Sequence, residues 1–142
     1  MAIKNAYTTA PLKNIIGSIQ KCLVAHGAEK IQYDYNNGVL AGLSFGLRIG
    51  NKLAGVKLPA KVENCERILR EQGLFNPTKK DHALRVAWAN IKDWVLAQMA
   101  MIDIDMVKIE EVFLPYILDG EKTVFEIYQE KFISLPEGDK NA

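Results

Sequence analysis

The sequence predicts an α+β fold: an N-terminal helix, a three-stranded antiparallel meander, and a mainly helical C-terminal half with a long apolar central helix. Three observations carry this. Apolar residues recur at steps of three and four near the N-terminus and again from Leu84 to Ile102. Ile31, Tyr33 and Tyr35 alternate with Gln32 and Asp34, and Val39 to Ile49 continues as a second strand. Asn37-Gly38 stands between those two runs and is a strong hairpin signal. The 142 residues suit a single domain, with residues 1–10 as a flexible arm, 11–74 as an α-β-β-β-α part, 78–133 as a helical part and 134–142 as a tail.

The first helix opens after Thr9 or Ala10 as cap, takes Pro11 in its first turn and stops at Gly27. Its buried stripe is Leu12, Ile15, Ile16, Ile19, Leu23 and the Val24–Ala25 pair, and His26 sits in its last turn, where a partly charged imidazole is favourable. The second strand puts Val39, Ala41, Leu43, Phe45, Leu47 and Ile49 on one face, and Leu40, Gly42, Ser44, Gly46 and Arg48 on the other. Gly42, Ser44 and Gly46 leave a flat strip on which a helix, a ligand or a nucleic-acid strand could lie, with Arg48 and Lys57 at its edge. Gly50-Asn51 turns the chain into a third strand, Lys52 to Leu58. A helix over residues 61–72 follows, facing Val62, Cys65, Ile68 and Leu69 inward and ending at Gly73. Thr78 and Asp81 resemble a capping box for the central helix, with His82 neutral in its first turn. Asp105 is placed as cap of a fourth helix carrying Val107 to Leu114, which Pro115 ends. Asp119-Gly120 marks a turn, Thr123 and Glu126 box the start of a fifth helix running to about Phe132, and Leu135-Pro136 leads into a polar end.

The central helix is the unusual element. From Leu84 to Ile102 its only formal charges are Arg85, Lys92 and Asp93. A surface helix normally shows a broad polar face, so this one is either wrapped by the rest of its own chain or covered by a second subunit. The sequence argument favours a homo-oligomer, because a short chain has little material for wrapping. It is no membrane span, being far short of the roughly 20 apolar residues a bilayer requires.

A net charge of +1 conceals an uneven distribution. Residues 48–92 hold ten Lys/Arg and four Asp/Glu, whereas residues 93–142 hold four and eleven. Such a split can steer an anionic partner to one side. Near-neutrality overall speaks against general nucleic-acid binding. Cys22 and Cys65 lack metal or redox spacing and read as reduced thiols, and no leader is visible at Met1 to Tyr7, so the expected location is the cytoplasm.

No nucleotide loop, zinc motif or nucleophile elbow is present in the sequence. No catalytic residue, metal ligand or cofactor is assigned. Arg85 and Lys92 are seven apart and so share a helix face, with Asn90 nearby. The candidate ligand-binding residues are Arg48, Lys57, Arg85 and Lys92 for an anion, with Trp88 or Tyr33 stacking on a flat group.

MAIKN at residues 1–5, Leu43 to Phe45, Leu58 to Ala60, and above all VAWxxxKDWVxAQ (Val86 to Gln98) and EVFLPY (Glu111 to Tyr116) carry a resemblance. Together they resemble a family of small proteins carried by phages, prophages and related mobile elements. The resemblance brings no assigned catalytic residues. It implies a product made in the host bacterial cell that either counters a host defence or assists replication and recombination. The first expectation is therefore a non-enzymatic accessory protein that binds a host defence protein or sequesters an anionic nucleotide signal. The alternative is a single-stranded nucleic-acid-binding factor using the strip on the sheet.

Overall fold

The computed structural model describes residues 1–134. The expected Leu135-Pro136 segment and polar tail lie outside them. The order is α1 (Leu12–Ala25), β1 (Glu29–Asn36), β2 (Val39–Ile49), β3 (Lys52–Pro59), α2 (Val62–Glu71), α3 (His82–Asp103), α4 (Ile109–Phe113), β4 (Leu118–Asp119), β5 (Lys122–Thr123) and α5 (Val124–Ser134). This is the expected α+β arrangement: an N-terminal helix, a three-stranded antiparallel sheet in the order β1-β2-β3, and a helical C-terminal half.

Both main hairpins follow from turn chemistry. Asn37 and Gly38 have φ of 52° and 79°, the two positive values a type I′ turn demands, and Asn36 pairs with Val39 across it. Gly50 alone is positive at 63° in the two-residue loop between Ile49 and Lys52, as a type II′ turn requires.

Strand β2 differs from simple alternation. Asp34 pairs with Gly42, but Tyr35 pairs with Leu40, so Ala41 is an extra residue on β2. A bulge of this kind reverses which face the following residues take. Leu40, expected on the outer face, is therefore in the core at 5% exposure, and Val39, expected inside, is 40% exposed. Beyond the bulge Leu43, Phe45 and Leu47 are buried as the alternation demands.

The inner face of the sheet, α1 and α3 share one core, built from Ile15, Ile19 and Leu23 of α1, Leu43 and Phe45 of β2, and Trp88, Val95 and Met99 of α3. A second cluster lies on the other side of α3, where Ala83 and Val86 meet Leu69 of α2 and Ala6. The central helix is thus covered from both sides by its own chain. Nothing between His82 and Val95 is exposed; a solvent side appears only at Leu96, Ala97, Ala100 and Asp103. The argument that one chain is too short to cover this helix does not hold, and with it goes that ground for a second subunit.

The wrapping material comes partly from residues 1–10, expected as a flexible arm. They run along α2 and α3 instead. The Ile3 N–H donates to Gln72 Oε1 at 2.9 Å, Asn90 Nδ2 donates to the Lys4 carbonyl at 2.8 Å, and Asn5 Nδ2 donates to Asp93 Oδ2 at 2.9 Å. Buried His82 donates from Nε2 to the Ala6 carbonyl at 2.8 Å and accepts the Asn76 N–H on Nδ1 at 3.0 Å, which fixes the neutral tautomer. The reason is backbone satisfaction: polar side chains of α2 and α3 find partners along this segment.

Three cap assignments change. Pro11 is the N-cap of α1. Thr78 bonds Asn76, not the start of α3, whose N-cap is Asp81 in the left-handed region at φ 54°. Asp105, also left-handed at φ 59°, closes α3 and does not open α4, because Asp tolerates that conformation and Met106 N–H then reaches the Met101 carbonyl at 3.0 Å. The Thr123–Glu126 box is present in both directions, at 2.9 and 3.2 Å. The small hairpin β4–β5 that precedes α5 is signalled in sequence only by its turn, with Gly120 at φ 72°. Along α1, Val24 and Ala25 point outward, so the buried stripe is narrower than the sequence suggested. Cys22 and Cys65 are unpaired and half-buried, and burial raises both thiol pKa values.

His26 joins the C-terminal ends of α1 and α3. Its Nδ1 lies 2.8 Å from the Cys22 carbonyl and its Nε2 2.9 Å from Asp103 Oδ1. Both partners are acceptors, so only the doubly protonated ring satisfies both. The hydrogen bond to Cys22, then that to Asp103, raises its pKa above 6.5 against a partial desolvation. A raised folded-state pKa adds stability that is fully present below the unfolded value and is lost as pH rises through the folded one. In denaturant titrations from pH 5.5 to 8.5, the stability difference between wild type and His26→Ala is expected to shrink as pH rises. A difference that grows with pH contradicts the clamp.

Candidate functional site: a cationic cleft beside a tyrosine groove

The N-terminal ends of α1 and α3 border one cavity of about 530 Å³. Lys13, Lys79, Lys80 and Arg85 line it, with Asp81 as the one acidic residue. Among the described residues none of these four cations has a carboxylate ion-pair partner. Arg85 is held by backbone oxygens: Nε donates to the Lys80 carbonyl at 2.9 Å, and one terminal nitrogen donates to Thr8 and Ala10 carbonyls at 3.0 and 3.4 Å. Its guanidinium is fixed in place while its charge stays uncompensated.

The cations sit where the backbone least favours them. A helix N-terminus carries a partial positive charge and normally attracts Asp or Glu. Neither α1 nor α3 has an acidic residue in its first turn or a side-chain cap. The helix N-termini and the lysines therefore border the same cavity, and an anion there would relieve both.

A second cavity of about 520 Å³ shares Leu12, Lys13 and Asp81 with the first. It lies between α1 and the start of the meander, and Tyr33, Tyr35 and Gln20 line it. The Tyr33 hydroxyl donates to Gln20 Oε1, and burial raises its pKa. Gly17 borders this groove in mid-helix, and a Cβ there would meet nothing within 4 Å. The cleft thus has a cationic arm and an aromatic arm meeting at Lys13 and Asp81.

The sequence-derived candidates divide. Arg85 and Tyr33 line the two arms. Trp88 does not take part: it is 0% exposed, with its indole N–H donating to the Leu40 carbonyl at 3.1 Å, so it has no face for a ligand. Lys92 shares the Arg85 face of α3 but lies about 10 Å further along the axis and lines neither arm. Arg48 is paired with Glu29 at 3.1 Å at the edge of the sheet. Lys57 stands opposite Ser44 on the outer sheet face.

That outer face is not a bare strip. Asp34 accepts a hydrogen bond from Ser44 Oγ at 2.8 Å and would lie 3.4 Å from a Cβ on Gly42. Leu53 lies over Gly46 and Leu118 over Gly55. The remaining depression is about 220 Å³, and the aromatic ring bordering it, Phe45, is itself core.

Lys79 and Lys80 belong to the basic groups of residues 48–92 that the sequence offers for a phosphate but were not among the chosen candidates, and Lys13, Gln20 and Tyr35 were not singled out. One signal was available: Lys79-Lys80 stands just before the Asp81 cap of a helix, and two lysines are the wrong sign of charge for that end.

Comparison with family models, with curated proteins and with solved structures gives no match.

Two substitutions test this geometry. Gly17→Ala adds a methyl to open space in a helix interior and is expected to raise stability by about 0.5–1 kcal/mol. Arg85→Ala removes the bonds that tie residues 8–10 to α3 and is expected to lower stability by about 2 kcal/mol, with faster amide exchange in residues 3–10. Unchanged exchange there would show that Arg85 does not anchor the segment.

Proposed function

We propose that this chain is a non-enzymatic binding protein that captures a nucleotide in the cleft between α1 and α3. What carries the reading is the continuity of the two arms. Four cations without ion-pair partners among the described residues suit phosphate groups, and a groove lined by Tyr33 and Tyr35 suits a flat base. Both histidines are engaged in structural hydrogen bonds, which leaves them no evident role as base or ligand. With the resemblance to phage and prophage proteins, capture points to an accessory that counters a host defence by sequestering a nucleotide signal in the host cell.

The alternative, a single-stranded nucleic-acid factor, needs basic and aromatic groups along one open groove. The outer sheet depression shares no residue with the cationic cavity and offers no exposed ring, so this reading has less support. Among the described residues no helix is long and apolar enough to cross a membrane.

Calorimetric titration with ATP, GTP, a cyclic dinucleotide and a single-stranded 20-mer at two salt concentrations tests this. Saturable binding of at least one nucleotide is expected. Lys79→Ala/Lys80→Ala should weaken it at least tenfold, about 1.4 kcal/mol, and Gly17→Phe should block it without loss of stability. Binding of the 20-mer alone, steeply salt-dependent, would transfer the assignment to the alternative.

A further inference from the structure

The C-terminal helix is poorly supported by the described residues of its own chain. α5 spans eleven residues, and none of residues 124–132 is buried. Helices this short are marginal alone and take most of their stability from packing an apolar face. Phe125, Tyr128 and Phe132 recur at i, i+3 and i+7 and so form one stripe, yet they are 54%, 57% and 59% exposed. Tyr128 and Phe132 stack edge to face at 4.5 Å, making a ridge.

Beside the ridge lies a receptor of matching character. A groove of about 470 Å³ runs between α3 and the Pro115–Tyr116 turn, with Ile91, Trp94 and Tyr116 among its walls. Trp94 is half-buried and held edge-on by Phe113 and Tyr116 at 5.8 Å each. Phe125 belongs to ridge and groove alike. Lys61 also lines the groove and has no ion-pair partner among the described residues. The segment carrying the ridge bears Glu126, engaged with Thr123, Glu130, paired with Lys122, and Glu121, which has no ion pair among the described residues.

We infer that this face is an interface between two copies of the chain, the aromatic ridge of each filling the groove of the other about a two-fold axis. Ridge and groove on one surface are the requirement for an isologous contact. Phe and Tyr bury roughly 200 Å² each, so three rings just over half exposed supply about 300 Å². With Phe125 shared between them, the ridges and grooves of both copies supply at most about 900 Å², the size of a weak, reversible contact. Lys61 meets Glu121 of the incoming segment. The surface includes Ile91 and Trp94 of α3, so it overlaps the contact suggested by sequence, and it shares no lining residue with the nucleotide cleft.

Sedimentation equilibrium of the full chain from about 1 to 200 µM tests the inference, with tryptophan emission read in parallel. A reversible monomer–dimer equilibrium is expected, with emission shifting to the blue on association because Trp94 becomes enclosed while Trp88 is already buried. Tyr128→Asp/Phe132→Asp, both at exposed positions, should leave the circular dichroism of the core intact and weaken association at least tenfold. Lys61→Glu, on the groove side, should weaken it severalfold and serves as the independent variant if the double one misfolds. A monomer throughout the range overturns the inference, and so does a dimer unaffected by either variant.

Discussion

The structure depends on keeping one helix dry with very little chain. α3 carries Trp88, Val95 and Met99 into one core and Ala83 and Val86 into another. A helix buried on both sides must have its neighbours' polar groups satisfied, and the Trp88 indole does this for the Leu40 carbonyl at the β2 bulge. The bulge turns Leu40 inward and the indole occupies its backbone oxygen, so the strand irregularity and the tryptophan form one feature. The first ten residues complete the enclosure, held by Asn90, Asp93, His82 and Arg85.

This enclosure also builds the cleft. Residues 8–10 could cross the start of α3 only if something met their carbonyls, and Arg85 does so. The crossing brings Lys13 at the start of α1 close to Lys79 and Lys80 before α3. Positive charge accumulates there without any carboxylate among the described ion pairs to offset it. The other three arginines differ from Arg85: Arg48, Arg67 and Arg70 each have a carboxylate within 3.2 Å. Asp93 likewise is held below its ordinary range, first by the Asn5 amide and then by Lys4.

The element order and both hairpin turns were legible because each rests on local chemistry: Asn37-Gly38, Gly50, Gly27, Gly73 and the Thr123–Glu126 box. The bulge at Ala41 was not, since nothing local distinguishes an extra residue in an apolar strand until a partner sets the register. Residues 1–10 read as loose because they have no periodicity; their order comes from side chains some eighty positions away. For the same reason the site was half legible. Arg85 and Tyr33 were chosen by type and line the cleft, but Trp88, Lys92, Arg48 and Lys57 were chosen by the same logic and are scattered or sealed. Convergence is a property of the crossing between the N-terminal segment and α3, which no spacing along the chain encodes.

The central claim is that the cleft formed by this crossing holds a nucleotide. Native mass spectrometry of the protein purified gently from bacterial cells tests it most directly. The account predicts a mass adduct that is released on denaturation, absorbs as a nucleobase, and is absent when Lys79 and Lys80 are both alanine. An adduct-free protein that stays adduct-free when nucleotides are supplied in excess, or an adduct untouched by losing those lysines, would contradict it.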